Sequence, residues 1–348
     1  MTLAGAEAAA STFAAAPQSS APCRHASQLR RLATLAICAL ALAGAGPCSA
    51  AAEPPRFSVP SPDDRPLTLV VYGDTRFTQR EDVVNAVARR ALVGKIATEK
   101  PAAILIGGDL VYDGRDPSDY RTFRAETSAW SEARIPVFPA LGNHELKGCP
   151  PDDPQECLEN WWNTFADPPL RPHRWYSVAI GSRLLALVLD SDMPLKAGSE
   201  QRAWFEAQMA AAGDEVKFIL IVLHYPPVRD PFFPRARDEK EIARYLARHA
   251  RSLRARVLVV GSHVHNYERY LRDGVDYVVS GGGGAKPVPA PRMFDERSHL
   301  RTAVNFHYLR LTLDGDRLAV TMVRYDAGKV EGPDAWSEPD RFEIRSRD

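Results

Sequence analysis

Five short apolar runs along the chain are each followed by side chains of a type that can bind metal ions. These residues are Asp74, Asp109, Asn143, His224, and the pair His263 and His265. Two carboxylates, one amide oxygen and three imidazoles form a donor set without thiolates, which suits Fe, Mn and Zn. The set is too large for one four-coordinate ion. Two ions about 3.5–4 Å apart that share a bridging carboxylate would use all of it. Because His263 and His265 lie two positions apart on an extended segment, each is expected to face a different ion.

The apolar runs that carry these residues are typical of buried strands, and helical patterns separate several of them. Strands are predicted at Leu67–Tyr72, Ala102–Ile106, Val137–Leu141, Leu184–Leu189, Phe218–Leu223, Val257–Val260 and Tyr277–Val279, and helices over residues 79–99, 118–133, 200–212 and 238–253. Residues 305–325 read as two alternating strands around Asp314-Gly315, which indicates a hairpin. Alternating strands and helices predict an α/β fold. In such sheets the carboxyl ends of the strands line the ligand crevice, so one rim is expected to collect the donor set.

Each motif taken alone has an ordinary structural explanation. A single Asp at the end of a strand is commonly a helix cap or a turn residue, and Gly142–Glu145 on its own fits a turn. Five motifs in order, each at the same end of a strand, favour a functional site instead.

The order of the motifs resembles the calcineurin-like metallophosphoesterase superfamily over roughly residues 66–346. Within it, Asp109–Tyr112, Gly142–Glu145 and His263–Arg269 are most similar to purple acid phosphatases. The resemblance implies a four-layer sandwich, with two mixed β-sheets packed face to face and flanked by helices. It also implies that Asp109 bridges two ions, with Asp74, Tyr112 and His265 on one and Asn143, His224 and His263 on the other. A tyrosinate ligand favours Fe(III), so the implied pair is Fe with Fe, Mn or Zn.

Two positions depart from the family pattern. Arg76 stands where the family usually has Gly or His, and it cannot bind a metal because arginine stays protonated in proteins. It is expected either to clamp a phosphate oxygen or to be a solvated loop residue. Ser262 replaces the usual Gly before the His-x-His motif, so the local backbone is expected to differ from that of the family while the ligands are kept.

His144 adjoins the ligand Asn143 and has no assigned metal. It is the candidate general acid, or a stabiliser of the leaving group, and the alternative is a residue that orients a metal ligand. Glu145 is expected to fix His144 or a turn.

The first fifty residues are typical of a secretory signal. Arg30 and Arg31 precede a short apolar run from Leu32 to about Ala45, and small residues follow. The run is shorter than the ~20 residues a membrane span needs. We therefore expect a leader over residues 1–52 and a single domain over 53–348, exported to the periplasm or secreted.

Without the leader, the only remaining cysteines are Cys149 and Cys157, for which a disulfide is favoured over a zinc pair.

Composition excludes several partners. The chain has 44 basic and 44 acidic residues among 348, so its net charge gives no support for a nucleic-acid-binding surface. Beyond the leader no segment is long and apolar enough to cross a membrane.

The expected activity is hydrolysis of a small phosphate monoester by a metal-bound hydroxide. A phosphodiesterase or nucleotide hydrolase is the alternative, followed by a non-catalytic metal- or phosphate-binding protein.

Overall fold

Two β-sheets carry the motifs identified in the sequence. The computed structural model describes residues 53–61, 65–150, 155–167, 169–230, 238–288, 306–330 and 332–347, all within the compact unit Glu53–Asp348. The predicted leader lies outside the described residues. Within the described part, no helix is long and apolar enough to cross a membrane.

The first sheet has six strands in the order β13-β12-β11-β2-β3-β4. These strands are β2 (Leu67–Tyr72), β3 (Ala103–Ile106), β4 (Val137–Pro139), β11 (Phe306–Asp314), β12 (Arg317–Tyr325) and β13 (Trp336–Arg345). β2, β3 and β4 run parallel, and the other three strands pair antiparallel. The hairpin predicted at residues 305–325 is confirmed, with Asp314 paired to Arg317 across its turn.

The second sheet has seven strands in the order β1-β5-β6-β7-β8-β10-β9. These strands are β1 (Arg56–Val59), β5 (Tyr176–Ile180), β6 (Leu184–Val188), β7 (Phe218–Val222), β8 (Arg256–Gly261), β9 (Tyr267–Arg272) and β10 (Val275–Ser280). β6, β7, β8 and β10 run parallel to one another, whereas β5 and β9 pair antiparallel with their neighbours β6 and β10. Both sheets are therefore mixed.

The sheets pack face to face with helices outside. Along β7, Phe218, Leu220 and Val222 join the core shared with the first sheet, whereas Ile219 and Ile221 face a second core that includes helical residues. This burial on both faces explains why the strand is wholly apolar. The predicted four-layer arrangement of two mixed sheets flanked by helices is confirmed.

Six helices connect the strands in the described part: α1 (Ala86–Glu99), α2 (Pro117–Glu126), α3 (Ser128–Glu132), α4 (Gln155–Thr164), α5 (Glu200–Ala211) and α6 (Lys240–His249). The helix predicted over residues 79–99 begins only at Ala86, because Asn85 caps it by accepting from the Ala88 N–H at 2.9 Å. The pattern over 118–133 divides at Thr127, whose hydroxyl donates to the Phe123 carbonyl at 2.7 Å.

Candidate metal centre

The motif-bearing strands do not share one sheet, contrary to the simplest expectation from an open α/β pattern. β2, β3 and β4 belong to the six-stranded sheet, and β7 and β8 belong to the seven-stranded sheet. Their carboxyl ends nevertheless meet. The His263 N–H donates to Asp74 Oδ2 at 2.6 Å, and the Nδ1–H of His224 donates to the Gly107 carbonyl at 3.0 Å. The site therefore lies where the two sheets come together.

Three buried side chains form the centre of the cluster. One ligand atom from each of Asp74, Asp109 and His224 lies within 4.8 Å of the others, and all three residues are fully buried. His224 Nε2 lies 3.3 Å from Asp109 Oδ1 and 3.0 Å from Asn143 Oδ1. Donor atoms from both sheets thus converge on one small volume.

The two histidines of the His-x-His motif extend the cluster in different directions. His263 Nδ1 lies 3.3 Å from His224 Nε2, whereas His265 Nε2 lies 3.5 Å from Asp74 Oδ1. His263 thus adjoins the His224 and Asn143 side, and His265 adjoins Asp74. This matches the division into two ligand groups that the family resemblance implies.

Backbone carbonyls fix the orientation of two of the imidazoles. Nδ1–H of His224 donates to the Gly107 carbonyl at 3.0 Å, and Nδ1–H of His265 donates to the Lys286 carbonyl at 2.8 Å. Each bond leaves the Nε2 lone pair free to bind a cation. Such outer hydrogen bonds are typical of metal-ligating histidines.

The residues present fit a metal site. Asp74 Oδ1 is buried without a hydrogen-bond partner, which is costly for a carboxylate oxygen unless a cation satisfies it. Around it lie only oxygen and nitrogen donors, which suit Fe, Mn or Zn. Gly142 and Gly281 keep the space around the carboxylates open. A Cβ at Gly142 would lie 2.4 Å from Asp109 Oδ1, and one at Gly281 would lie 2.5 Å from Asp74 Oδ2.

The charges in the site favour the ligating protonation states of Asp109 and His263, but not that of His265. Burial disfavours ionisation of Asp109, but the charges of His224, His144 and Arg76 outweigh it and hold the pKa of that carboxyl well below its usual value. Burial, reinforced by the charge of His224, lowers the pKa of His263 to about 4. His263 is therefore neutral near pH 7, as a metal ligand must be. Burial opposes protonation of His265, yet the charge of Asp74 raises its pKa.

Tyr112 is placed differently from the other predicted ligands. Its ring lies 5.2 Å from the ring of His144, and the cationic groups of Arg80 and Lys147 lie 4.9 Å and 3.9 Å from its centroid. These contacts are with the ring rather than with the carboxylates. The structure thus brings six of the seven predicted ligands into mutual contact, and the role of Tyr112 as a ligand stays a prediction.

His144 lies beside the cluster of predicted metal ligands but is not one of them. Its N–H donates to Asp109 Oδ1 at 2.9 Å, its Nδ1–H donates to the Tyr112 carbonyl at 2.5 Å, and its Nε2 lies 3.9 Å from Asp109 Oδ2. Burial lowers its pKa. The bond at Nδ1 directs Nε2 toward the carboxylate predicted to bridge the ions.

Arg76 contacts the same carboxylate. Its Nη2 donates to Asp109 Oδ2 at 3.1 Å, and its side chain is 15% exposed. Arg76 is therefore a charged member of the site rather than a solvated loop residue. Its backbone is left-handed, with φ of 45°, as are those of Asp74, Asp109 and His263 at 56°, 51° and 67°. Such backbone strain is concentrated at functional sites.

Glu145 holds the backbone of the loops that carry the site. The sequence predicted only that it would fix His144 or a turn. Its fully buried carboxylate accepts from the N–H groups of Asp109 at 3.0 Å, Val111 at 3.1 Å and Gly142 at 2.8 Å. It therefore joins the loops after β3 and β4. Burial, followed by the charge of Asp109, raises the pKa of Glu145 to about 8.

Ser262 is accommodated without disturbing the motif that follows it. Its hydroxyl donates to the Ser280 carbonyl at 3.1 Å, in space left open by Gly73 and Gly107. Trp161 and Trp162 lie in the core. Cys149 and Cys157 form the predicted disulfide, with their Cα atoms 5.9 Å apart.

Solved structures with a similar fold include metal-dependent phosphatases. Purple acid phosphatase PPD1 from yellow lupin (Lupinus luteus) seeds has a TM-score of 0.64 and 19% identity, covering 81% of this chain and 54% of that one. This chain thus spans about half the length of the lupin enzyme. A dimetal phosphatase from Danio rerio has a TM-score of 0.55 and 14% identity, covering 81% and 99% of the two chains. These identities show the fold alone.

A third similar structure is not named as a hydrolase. It is GAP50, the anchor in the inner membrane complex of Plasmodium, with a TM-score of 0.53 and 15% identity over 81% of this chain and 90% of that one. None of the curated proteins matches the sequence. The calcineurin-like phosphoesterase family model matches residues 67–267, which is more than half of the chain and includes all seven predicted metal ligands. The chain therefore belongs to the calcineurin-like phosphoesterase family.

Proposed function

We propose that this protein is an exported phosphoesterase that uses two metal ions to hydrolyse phosphate monoesters. The observation that carries the proposal is the convergence of Asp74, Asp109 and His224, all buried and within 4.8 Å of one another, with Asn143 and His263 in contact with His224. Membership of a phosphoesterase family and an intact set of metal-binding donors together support a catalytic role over a role in binding alone.

The proposed ligands divide into two groups around Asp109, the carboxylate that would be shared. Asp74, Tyr112 and His265 would hold one ion and Asn143, His224 and His263 the other, with Fe paired with Fe, Mn or Zn. When bound, such ions neutralise the phosphate and lower the pKa of a coordinated water. The remaining chemistry belongs to side chains that do not bind the ions.

His144 is the proposed general acid. Hydrolysis breaks the bond between phosphorus and the alcohol oxygen while an oxygen from water joins the phosphorus, and the departing alkoxide needs a proton. An imidazolium with Nε2 directed at the reacting region can supply it. Arg76 offers guanidinium N–H groups beside Asp109, where they can bind a phosphate oxygen. In the absence of substrate, the carboxylate of Asp109 accepts them.

Paired substrates test this function. Purified protein, with its metals measured on the same sample, is assayed with p-nitrophenyl phosphate and bis(p-nitrophenyl) phosphate. Faster hydrolysis of the monoester supports the proposal, and preference for the diester would make the protein a phosphodiesterase. Metal binding without hydrolysis of either ester would indicate a binding protein, and failure to bind metal after reconstitution would contradict the whole assignment.

The visible spectrum tests the proposed iron ligand. A Tyr112–Fe(III) bond gives a charge-transfer band in the visible region, and Tyr112→Phe should remove the band while a second Tyr→Phe change at the buried Tyr176 should keep it. Wild-type protein that contains iron but shows no such band would contradict the role of Tyr112.

Export is supported by the leader-like pattern in residues 1–52 and by the disulfide between Cys149 and Cys157, since disulfides persist in oxidising compartments. Expression of the full chain in a bacterial host, followed by fractionation and N-terminal sequencing, tests it. A periplasmic or secreted product that begins near residue 53 supports export. An uncleaved cytoplasmic product with two free thiols would contradict it.

A further inference from the structure

A lysine stands next to the proposed general acid. Lys147 lies in the same turn as His144, and its N–H donates to the His144 carbonyl at 3.4 Å. Its ammonium lies 3.9 Å from the centroid of the Tyr112 ring, which in turn lies 5.2 Å from the ring of His144. A positive charge is thus held close to where the leaving group of a substrate would be protonated.

Among the described residues, no neighbouring carboxylate compensates the charge of Lys147. Arg80 contacts the same Tyr112 ring, but its Nη2 forms an ion pair with Asp82 Oδ2 at 3.0 Å. Arg76 is paired with Asp109 at 3.1 Å. For Lys147, the described residues provide no acidic partner within ion-pair distance. It is half-buried, so its charge is less screened than that of a fully exposed lysine.

The proposed function accounts for the other positive groups but leaves Lys147 unused. The scissile phosphate would be bound by the two ions and by Arg76, on the Asp109 side of His144. Lys147 contacts the Tyr112 ring, and a substrate whose alcohol portion extends past His144 toward that ring would bring this portion to the ammonium. The whole chain has equal numbers of basic and acidic residues, so this local excess of positive charge does not reflect its composition.

We propose that Lys147 binds a second anionic group of the substrate. The substrate class is then a phosphate monoester whose alcohol portion carries a carboxylate or another phosphate, and Lys147 determines that specificity. This proposal rests on the proposed function, since it assigns a part of the substrate of that same site. Phosphate monoesters without the second charge would be hydrolysed less efficiently.

Two esters with the same three-carbon skeleton test the proposal. sn-Glycerol 3-phosphate and 3-phosphoglycerate differ in having a hydroxymethyl group or a carboxylate at the far end. Metal-loaded wild-type enzyme should show a kcat/KM roughly fivefold higher for 3-phosphoglycerate, the factor expected for one partly exposed ion pair. The preference should reside in KM and should shrink as salt is added. Lys147→Met should abolish it, and Lys147→Arg should largely restore it.

Arg80→Gln is the matched control, because Arg80 contacts the same ring but its charge is already paired. It should keep the preference for 3-phosphoglycerate, and so should Lys95→Met at a remote lysine. If Arg80→Gln and Lys147→Met reduce the preference equally, the two cations hold Tyr112 and the proposal is wrong. A wild-type enzyme that hydrolyses both esters equally well would also overturn it. If neither ester, nor p-nitrophenyl phosphate, is hydrolysed by metal-loaded protein, the proposed function itself fails.

Discussion

Arg89 and Glu126 form a bidentate ion pair between α1 and α2, with Nε–Oε2 at 2.9 Å and Nη2–Oε1 at 2.7 Å. The Arg89 side chain is 1% exposed, and its guanidinium also donates to the carbonyls of Arg76 at 3.0 Å and Thr78 at 3.1 Å. The pair therefore holds the loop after β2, which carries Asp74 and the left-handed Arg76, against the two helices. The ion pair does not contact the predicted metal ligands; it affects the site by holding the backbone of that loop.

Removing this guanidinium should destabilise the protein strongly. Arg89→Met leaves the Glu126 carboxylate without its partner and two carbonyls without donors, which should lower the free energy of unfolding by about 3–5 kcal/mol. Urea unfolding measures the loss. Arg90→Met is the matched control, because Arg90 is 53% exposed and lies 3.8 Å from the same carboxylate. It should cost less than about 1 kcal/mol, and equal losses in the two variants would contradict this account.

Ser262 and Gly107 should behave as a coupled pair. A Cβ at position 107 would lie 2.3 Å from Ser262 Oγ and 3.3 Å from Ser262 Cβ, whereas the nearest atom outside Ser262 is the Leu223 carbonyl oxygen at an ordinary 3.8 Å. Gly107→Ala should therefore destabilise by about 1–3 kcal/mol through overpacking. Adding Ser262→Gly should recover most of that loss. Additive effects in the double variant, measured by thermal unfolding, would show that the clash is relieved in another way. Gly94→Ala, where no atom lies within 4 Å, is the control.

The sequence was sufficient to place the strand ends and the donor atoms that follow them. The buried parallel strands were predicted to within two residues, because burial on both faces makes them continuously apolar. β1, β5, β9 and β13 were missed. β9 contains Glu268, Arg269 and Arg272, and β13 lies at a sheet edge where polar residues face solvent. Apolar runs also do not encode which strands pair, so the division of the site between two sheets was not predictable.

Supporting interactions around the site were equally hard to predict. Glu145 binds the N–H of Asp109 from 36 positions away. Arg89 reaches Glu126 from 37 positions away. Neither pairing leaves a local pattern, because the partners are backbone groups or residues on another helix. What the sequence did contain was a buried acid in Gly142–Glu145 and an arginine within an apolar helix, both of which need partners once buried.

Metal binding should be measurable without any substrate. Because the folded site alone binds the ions, Mn²⁺ or Zn²⁺ at 100 times Kd should stabilise the metal-free protein by about 2.7 kcal/mol. Asp109→Asn should remove most of this effect, since Asp109 is the carboxylate shared by both groups of ligands. Asp314→Asn, in the hairpin turn between β11 and β12, should retain it. Thermal unfolding with elemental analysis provides the measurement, and an undiminished shift in Asp109→Asn would rule out Asp109 as a ligand.

The disulfide should contribute stability of its own. In the chain-entropy model, closure of the short loop between Cys149 and Cys157 stabilises the fold by roughly 2.5 kcal/mol. Cys149→Ser/Cys157→Ser should lower the free energy of unfolding by about that amount in urea titrations of the oxidised protein. Reductant should lower the stability of the wild type to that of the double variant and leave the variant unchanged. If reductant has no effect on the wild type, the cysteines are not bonded in solution.

The pH profile distinguishes the two roles considered for His144. Burial lowers the pKa of His144 below its usual 6.5, so the imidazole is neutral at pH 7 and gains its proton only in more acidic solution. If His144 donates a proton to the leaving alcohol, kcat of the metal-loaded enzyme should rise as pH falls toward that pKa. His144→Asn should lower kcat by about 10²–10⁴-fold and remove that limb of the profile, with bound metal unchanged. His249→Asn, at an imidazole on α6, is the control and should change neither. Loss of metal in His144→Asn, or persistence of the acidic limb, would assign His144 to orienting the Asp109 loop instead.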